Sequence, residues 1–148
     1  MLVVELEYDR REYDFKLTLY PSFNYVLFKR IDDRTWIKEY GNVRFSLELC
    51  DGNRMRIKPL GSYSLSRDYL LDLTGLWFNP LEYYSRLSRS IRAKLERIVD
   101  FYCKLRLSIN RFERDYIFIA VALSRRTDYH RNTVRWCENC LLYTSDAA

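Results

Sequence analysis

The chain has 148 residues, of which 48% are hydrophobic, 30% charged and 16% aromatic, with only 4 Gly and 3 Pro. That length points to one domain or slightly more, and the high apolar content with few cysteines excludes a disordered chain, a collagen-like repeat and a disulfide-framed miniprotein. The 25 basic residues exceed the 20 acidic ones for a net charge of +5, and 19 of the basic residues are Arg. Arg suits bidentate contact with phosphate or carboxylate, but its excess also follows genome base composition. No run of about 18 apolar residues is present, so a membrane span is not expected. The first residues, MLVVELEYDRR, turn acidic too early for a signal peptide, and a cytoplasmic globular protein is the expectation.

Residues 1 to about 58 read as strands. Tyr13, Phe15, Leu17 and Leu19 alternate with Asp14, Lys16 and Thr18, the period of a half-buried strand. Tyr25 to Ile31 and Thr35 to Tyr40 are aromatic and β-branched, parted by a turn at Asp32-Asp33-Arg34. Val43, Phe45, Leu47 and Leu49 then alternate with polar residues, Asp51-Gly52 supplies a turn, and Met55 and Ile57 continue the alternation. The result is an antiparallel meander with one wet face.

Pro59 to Ser66 is a connector, after which the period becomes helical. Asn79-Pro80-Leu81-Glu82 is a helix start, with Asn as N-cap, Pro at the first helical position and Glu placed to close a capping box. Ile91, Leu95, Ile98, Val99 and Tyr102 share one helical stripe. Asn110-Arg-Phe-Glu113 repeats the cap arrangement and opens Tyr116 to Leu123, which is apolar on every face and belongs at the centre of a helical bundle. The expected fold is therefore α+β: an antiparallel β-sheet domain over 1–60, then the first helices of an incomplete helical domain over 61–139. Residues 1–60 hold 11 basic and 10 acidic groups, and 61–139 hold 14 and 9. The helical half carries the excess, as a lobe facing nucleic acid would, though a solvated helical surface shows the same balance.

The last nine residues, Cys140 to Ala148, resemble one reading frame of a transposase-type sequencing adapter. On that reading the natural sequence ends near Asn139 and the chain is an N-terminal fragment. Cys137-Glu-Asn-Cys140 has C-x-x-C spacing but no second pair, and the only histidine is His130. Neither a metal site nor a cofactor is expected, and Cys50, Cys103 and Cys137 read as buried thiols.

The run Arg106-Leu-Ser-Ile-Asn110-Arg-Phe-Glu113, the apolar helix after it, and Leu123-Ser-Arg-Arg-Thr-Asp128-Tyr-His-Arg-Asn132 resemble the helix–hairpin–helix DNA glycosylase superfamily. A sheet domain ahead of the helices, with Thr74-Gly75-Leu76 between, is similar to the 8-oxoguanine and 3-methyladenine branches. The resemblance implies an enzyme of base excision repair that extrudes a damaged base from double-stranded DNA and cleaves its glycosidic bond, with or without a lyase step. It also implies that the hairpin, the catalytic aspartate and any catalytic lysine lie downstream of residue 139, so no catalytic residue is expected here and the fragment is expected to be inactive. At full length the protein is expected to be a monomer, cytoplasmic and, in a prokaryote, associated with the nucleoid. The family element present is the loop after the apolar helix, where relatives insert an amide side chain into the gap left by the extruded base. Arg125 holds that position and departs from the amide. Ser124, Arg126 and Thr127 beside it, with His130 and Arg131, complete the expected DNA-binding set. Asp128 or Thr127 is the expected N-cap of the next helix. A non-enzymatic nucleic-acid-binding module remains the alternative.

Overall fold

The computed structural model describes residues 3–39 and 43–145, the stretch 140–145 by its backbone alone. Residues 140–145 continue a helix, while 40–42 and 146–148 fall outside the described residues, so the adapter-like tail is covered only in part.

Alternating side chains build one five-stranded antiparallel sheet. Its strands are β1 (Val4–Glu7), β2 (Phe28–Arg30), β3 (Thr35–Lys38), β4 (Phe45–Cys50) and β5 (Arg54–Pro59), in the spatial order β1-β5-β4-β3-β2. Trp36, Leu47 and Ile57 sit opposite one another across β3, β4 and β5, and all three are buried. The Asp51-Gly52 turn forms as expected, with Gly52 at φ +77°. So does the turn between β2 and β3.

Two expected strand segments are instead short helices. Phe15–Leu19 is α1, because the Asp14 carboxylate accepts a hydrogen bond from the Leu17 amide (2.9 Å) and starts a helical turn. Over five residues the two periods are hard to tell apart, and Phe15, Thr18 and Leu19 fall together on the buried face of the helix. Phe23–Leu27 is a 3-10 helix started by Ser22, whose hydroxyl accepts from the Asn24 amide; Tyr25 therefore precedes the strand instead of opening it.

The remaining helices are α2 (Arg67–Thr74), α3 (Pro80–Arg86), α4 (Arg89–Tyr102), α5 (Arg114–Leu123) and α6 (Val134–Ser145), with a π-helical turn at Tyr129–Thr133 leading into α6. Asn79 caps α3 as expected, accepting from the Leu81 amide at 3.1 Å. Helix α2 gives Tyr69, Leu70 and Leu73 to the same core as Phe15, Trp36 and Phe45, so that core runs across residue 60. A second, smaller cluster joins Val26 to Ala120, Val134 and Cys137. Of the three thiols expected to be buried, Cys137 is, whereas Cys50 at the end of β4 and Cys103 at the end of α4 are half-buried.

Helices α4 and α5 leave apolar surface open. Ile91, Ile98, Phe101 and Tyr102 are exposed, and no residue of α4 is buried. Helix α5 buries only Ala120, while Phe118 is 76% exposed. The central position expected for α5 is not found among the described residues. Among the described residues, α5 packs through one edge, made by Tyr116, Ala120 and Leu123.

Gly75 ends α2 in the left-handed region at φ +77°, and a Cβ there would lie 2.9 Å from the Arg106 Cβ and 3.0 Å from the Thr18 Cγ2. Backbone strain and overpacking add, so Gly75→Ala is expected to destabilise the fold by about 2–4 kcal/mol in urea unfolding. An unchanged midpoint would contradict the packing described here.

Candidate nucleic-acid interface

The run from Lys104 to Glu113 is a strap laid across α1 and α2. The Lys104 carbonyl accepts from the Asp14 amide, the Arg106 amide donates to the Thr18 hydroxyl, and the Ile109 amide donates to the Asp72 carbonyl. The Ser108 hydroxyl donates to the Leu73 carbonyl. Arg111 closes on the buried Asp72 carboxylate through two hydrogen bonds of 2.6 and 2.9 Å, the paired geometry a guanidinium favours. Arg106, Ser108, Ile109 and Arg111 thereby hold the strap to α1 and α2.

At its end the strap meets the sheet. Lys38 faces the core of β3 with a fully buried side chain, and its ammonium donates to Glu113 Oε1 at 2.8 Å and to the Val43 carbonyl at 3.0 Å. Glu113 Oε2 accepts from the Tyr69 hydroxyl and from Asn110 Nδ2. Burial pushes the Lys38 ammonium below its usual range, and the Glu113 carboxylate pulls it back. Asn110 does not cap α5 directly; its side-chain oxygen accepts from the amides of Phe112 and Glu113, and Glu113 is the residue before the helix. A cavity of about 690 Å³ opens beside this cluster, between Tyr69, Phe112, Glu113 and Tyr116. Its half-buried carboxylate already accepts three hydrogen bonds, which fits an anchor for α5 better than a reacting group.

Helix α5 delivers the expected DNA-binding loop. Ser124 caps its C-terminus and its hydroxyl donates to the Val121 carbonyl. Arg125 and Arg126 follow, both exposed, and Arg126 adopts φ +58°. A non-glycine residue in that region costs roughly 1–2 kcal/mol, and glycine would occupy it without that cost. Thr127 accepts a 2.7 Å hydrogen bond from Asn132, and Asp128 is the N-cap, accepting from the Arg131 amide at 2.8 Å. The Arg131 side chain is exposed on the first turn beyond the loop.

His130 is placed differently from the arginines. Its ring stacks on Tyr20 with centroids 3.9 Å apart and planes 15° from parallel, and it meets Tyr25 and Tyr129 edge-on at 5.1 and 5.0 Å. The Tyr129 and Tyr116 hydroxyls donate to the carbonyls of Ser22 and Phe23, each at 2.9 Å. These aromatic residues tie the loop's helices to the N-terminal segment. The cluster is not legible in the sequence, because Tyr20 and Tyr25 come from a segment distant in the chain. Lys38 and Tyr69 were missed for the same reason.

Among the described residues, no three of His, Cys, Asp and Glu converge as metal ligands, and no helix is long and apolar enough to cross a membrane. Fold and site together define an α+β protein presenting an arginine-bearing loop at the end of an apolar helix. Comparison with models of known protein families and with curated proteins finds no match to this chain.

Proposed function

We propose that this chain is a DNA-engaging part of a base-excision DNA glycosylase, acting on double-stranded DNA that contains a damaged base. The observation that carries the reading is Arg126 held at φ +58° beside the exposed Arg125, in the loop that ends α5. An arginine kept where glycine is favoured supports a task for its side chain, and a guanidinium can donate to phosphate or to the edge of an unpaired base. The anchoring of the Arg106–Glu113 strap and the Asp128 cap support the same reading, since both match the motif run that resembles the superfamily. Such a protein works where the chromosome is, in the cytoplasm at the nucleoid of a prokaryote. His130 has a packing role that would hold the loop in place, and Arg131 is the further candidate for phosphate.

The chain is expected to bind duplex DNA weakly and with affinity falling as salt rises. Arg126→Gly is expected to leave stability unchanged or raise it by up to about 1 kcal/mol, while lowering affinity about 5- to 100-fold, the usual range for one lost arginine contact. Fluorescence anisotropy at several salt concentrations together with urea unfolding reads both quantities. Unchanged affinity in Arg126→Gly and in Arg125→Ala would overturn the loop's role. Tight binding by residues 1–139 alone would instead favour a non-enzymatic nucleic-acid-binding module, for which the excess of basic residues over 61–139 speaks. For the enzymatic part, coding sequence read onward from Asn139 is expected to encode a Gly-rich hairpin of the L-P-G-x-G kind followed by an aspartate; another sequence there would sink it.

A further inference from the structure

A second, smaller cleft, with Tyr20 in its lining, lies between α1, the edge strand β2 and α6. It has a volume of about 260 Å³. Its apolar floor is Leu19, Val26 and Phe28, and aromatic rings of Tyr20, Tyr25 and Trp36 line it. Ligand pockets for drug-sized molecules run from about 300 to 1,000 Å³, so this cleft suits one small planar group. Three charged side chains complete the lining: Lys16, Arg30 and Glu138, all exposed.

Local structure dictates this arrangement. Lys16 and Tyr20 are four residues apart along α1 and its C-cap, which stacks them on one face of the turn. Phe28 and Arg30 are two apart on β2, which puts them on one side of the strand. The Arg30 Nε donates to the Asp32 carbonyl, and a terminal nitrogen pairs with the Asp33 carboxylate, so the guanidinium is held at the rim with donors to spare. Tyr20 is fixed by its stack on His130, yet remains 55% exposed. Fixed aromatic rings beside cations are the recurrent means of seating a nucleobase together with its phosphate.

We propose that this cleft is a nucleotide site: one base lies against Tyr20 and Tyr25, its phosphate meets Lys16 and Arg30, and Glu138 accepts from an exocyclic amine. The nucleotide is either free or part of a displaced strand, and the two sources share this chemistry. The site does not need the Arg125–Arg126 loop.

The test uses the 148-residue chain and a fluorescent base, 2-aminopurine, offered as the riboside 5′-monophosphate, as the riboside, and within a short single strand. Saturable quenching by the monophosphate or by the strand is expected, with the riboside bound at least about fivefold more weakly. Lys16→Ala combined with Arg30→Ala is expected to reduce the monophosphate to the affinity of the riboside, with an unchanged melting temperature. Quenching by the strand alone identifies the source as a displaced strand, and quenching by the monophosphate alone as a free nucleotide; either supports the site. Absence of quenching with both, or equal affinity for riboside and monophosphate in wild type, overturns it. The free-nucleotide arm is independent of duplex binding, so this proposal and the glycosylase reading fail separately.

Discussion

Replacing Lys38 with Met is expected to destabilise the protein by about 3 kcal/mol, because the Glu113 carboxylate then keeps its neutral donors and loses the charged one. The figure sits at the lower end for a broken buried pair, since Glu113 retains 18% side-chain exposure. Glu113→Leu alone should be as damaging, leaving an ammonium with 0% exposure without its carboxylate. The combined Lys38→Met and Glu113→Leu change is expected to cost less than the sum of the two, which urea unfolding of all four proteins measures. Simple additivity would mean the two side chains do not act as a pair. The pH dependence has a defined sign. Burial lowers the Lys38 ammonium from its unfolded value of 10.5, so between the lowered value and 10.5 the unfolded chain binds more protons, and this group makes stability rise with pH there.

From about pH 10 upward four tyrosines act in the opposite direction. Tyr13, Tyr69, Tyr116 and Tyr129 are all raised above the usual phenol value, first by burial; the Glu113 carboxylate adds to this at Tyr69, and the Cys137 thiol at Tyr116 and Tyr129. A group raised in the folded state contributes stability that is complete below its unfolded value, near pH 10, and is lost as pH climbs above it. Tyr13, 3% exposed and donating to the Thr74 carbonyl at 2.7 Å, is expected to contribute to this loss from about pH 10 upward, as are the other three. In an ultraviolet titration of phenolate, these four are expected to ionise only when the chain unfolds, in step with loss of the circular dichroism signal. Smooth ionisation of all of them by a folded protein would contradict the burial described here.

These four residues also link the fold to the candidate site. Three of their hydroxyls reach backbone carbonyls 61, 93 and 107 residues away in sequence. Tyr116 and Tyr129 hold α5 and the turn after it against the 3-10 helix, while Lys38 and Glu113 hold the start of α5 against the sheet. The Arg125–Arg126 loop is thus supported from both ends of the elements that flank it. Loosening either support should degrade the loop before it unfolds the sheet.

What the sequence determined by itself was local. Period-two alternation defined β4 and β5, aromatic and β-branched content defined β3, Asp51-Gly52 defined the tight turn between β4 and β5, and Asn79-Pro80 defined the start of α3, because each rests on side chains acting within a few residues. It also determined that α5 is apolar all round and that Ser124 to Arg131 would follow as a loop and a helix start. Only the tertiary structure decided the rest. Phe15–Leu19 fits either period over five residues, and a cap at Asp14 together with burial against α2 settled it as a helix. A lysine in Thr35–Lys38 reads as one more surface charge until the strap brings Glu113 to it from 75 residues away. His130 reads as a lone basic residue until Tyr20 and Tyr25 arrive beside it.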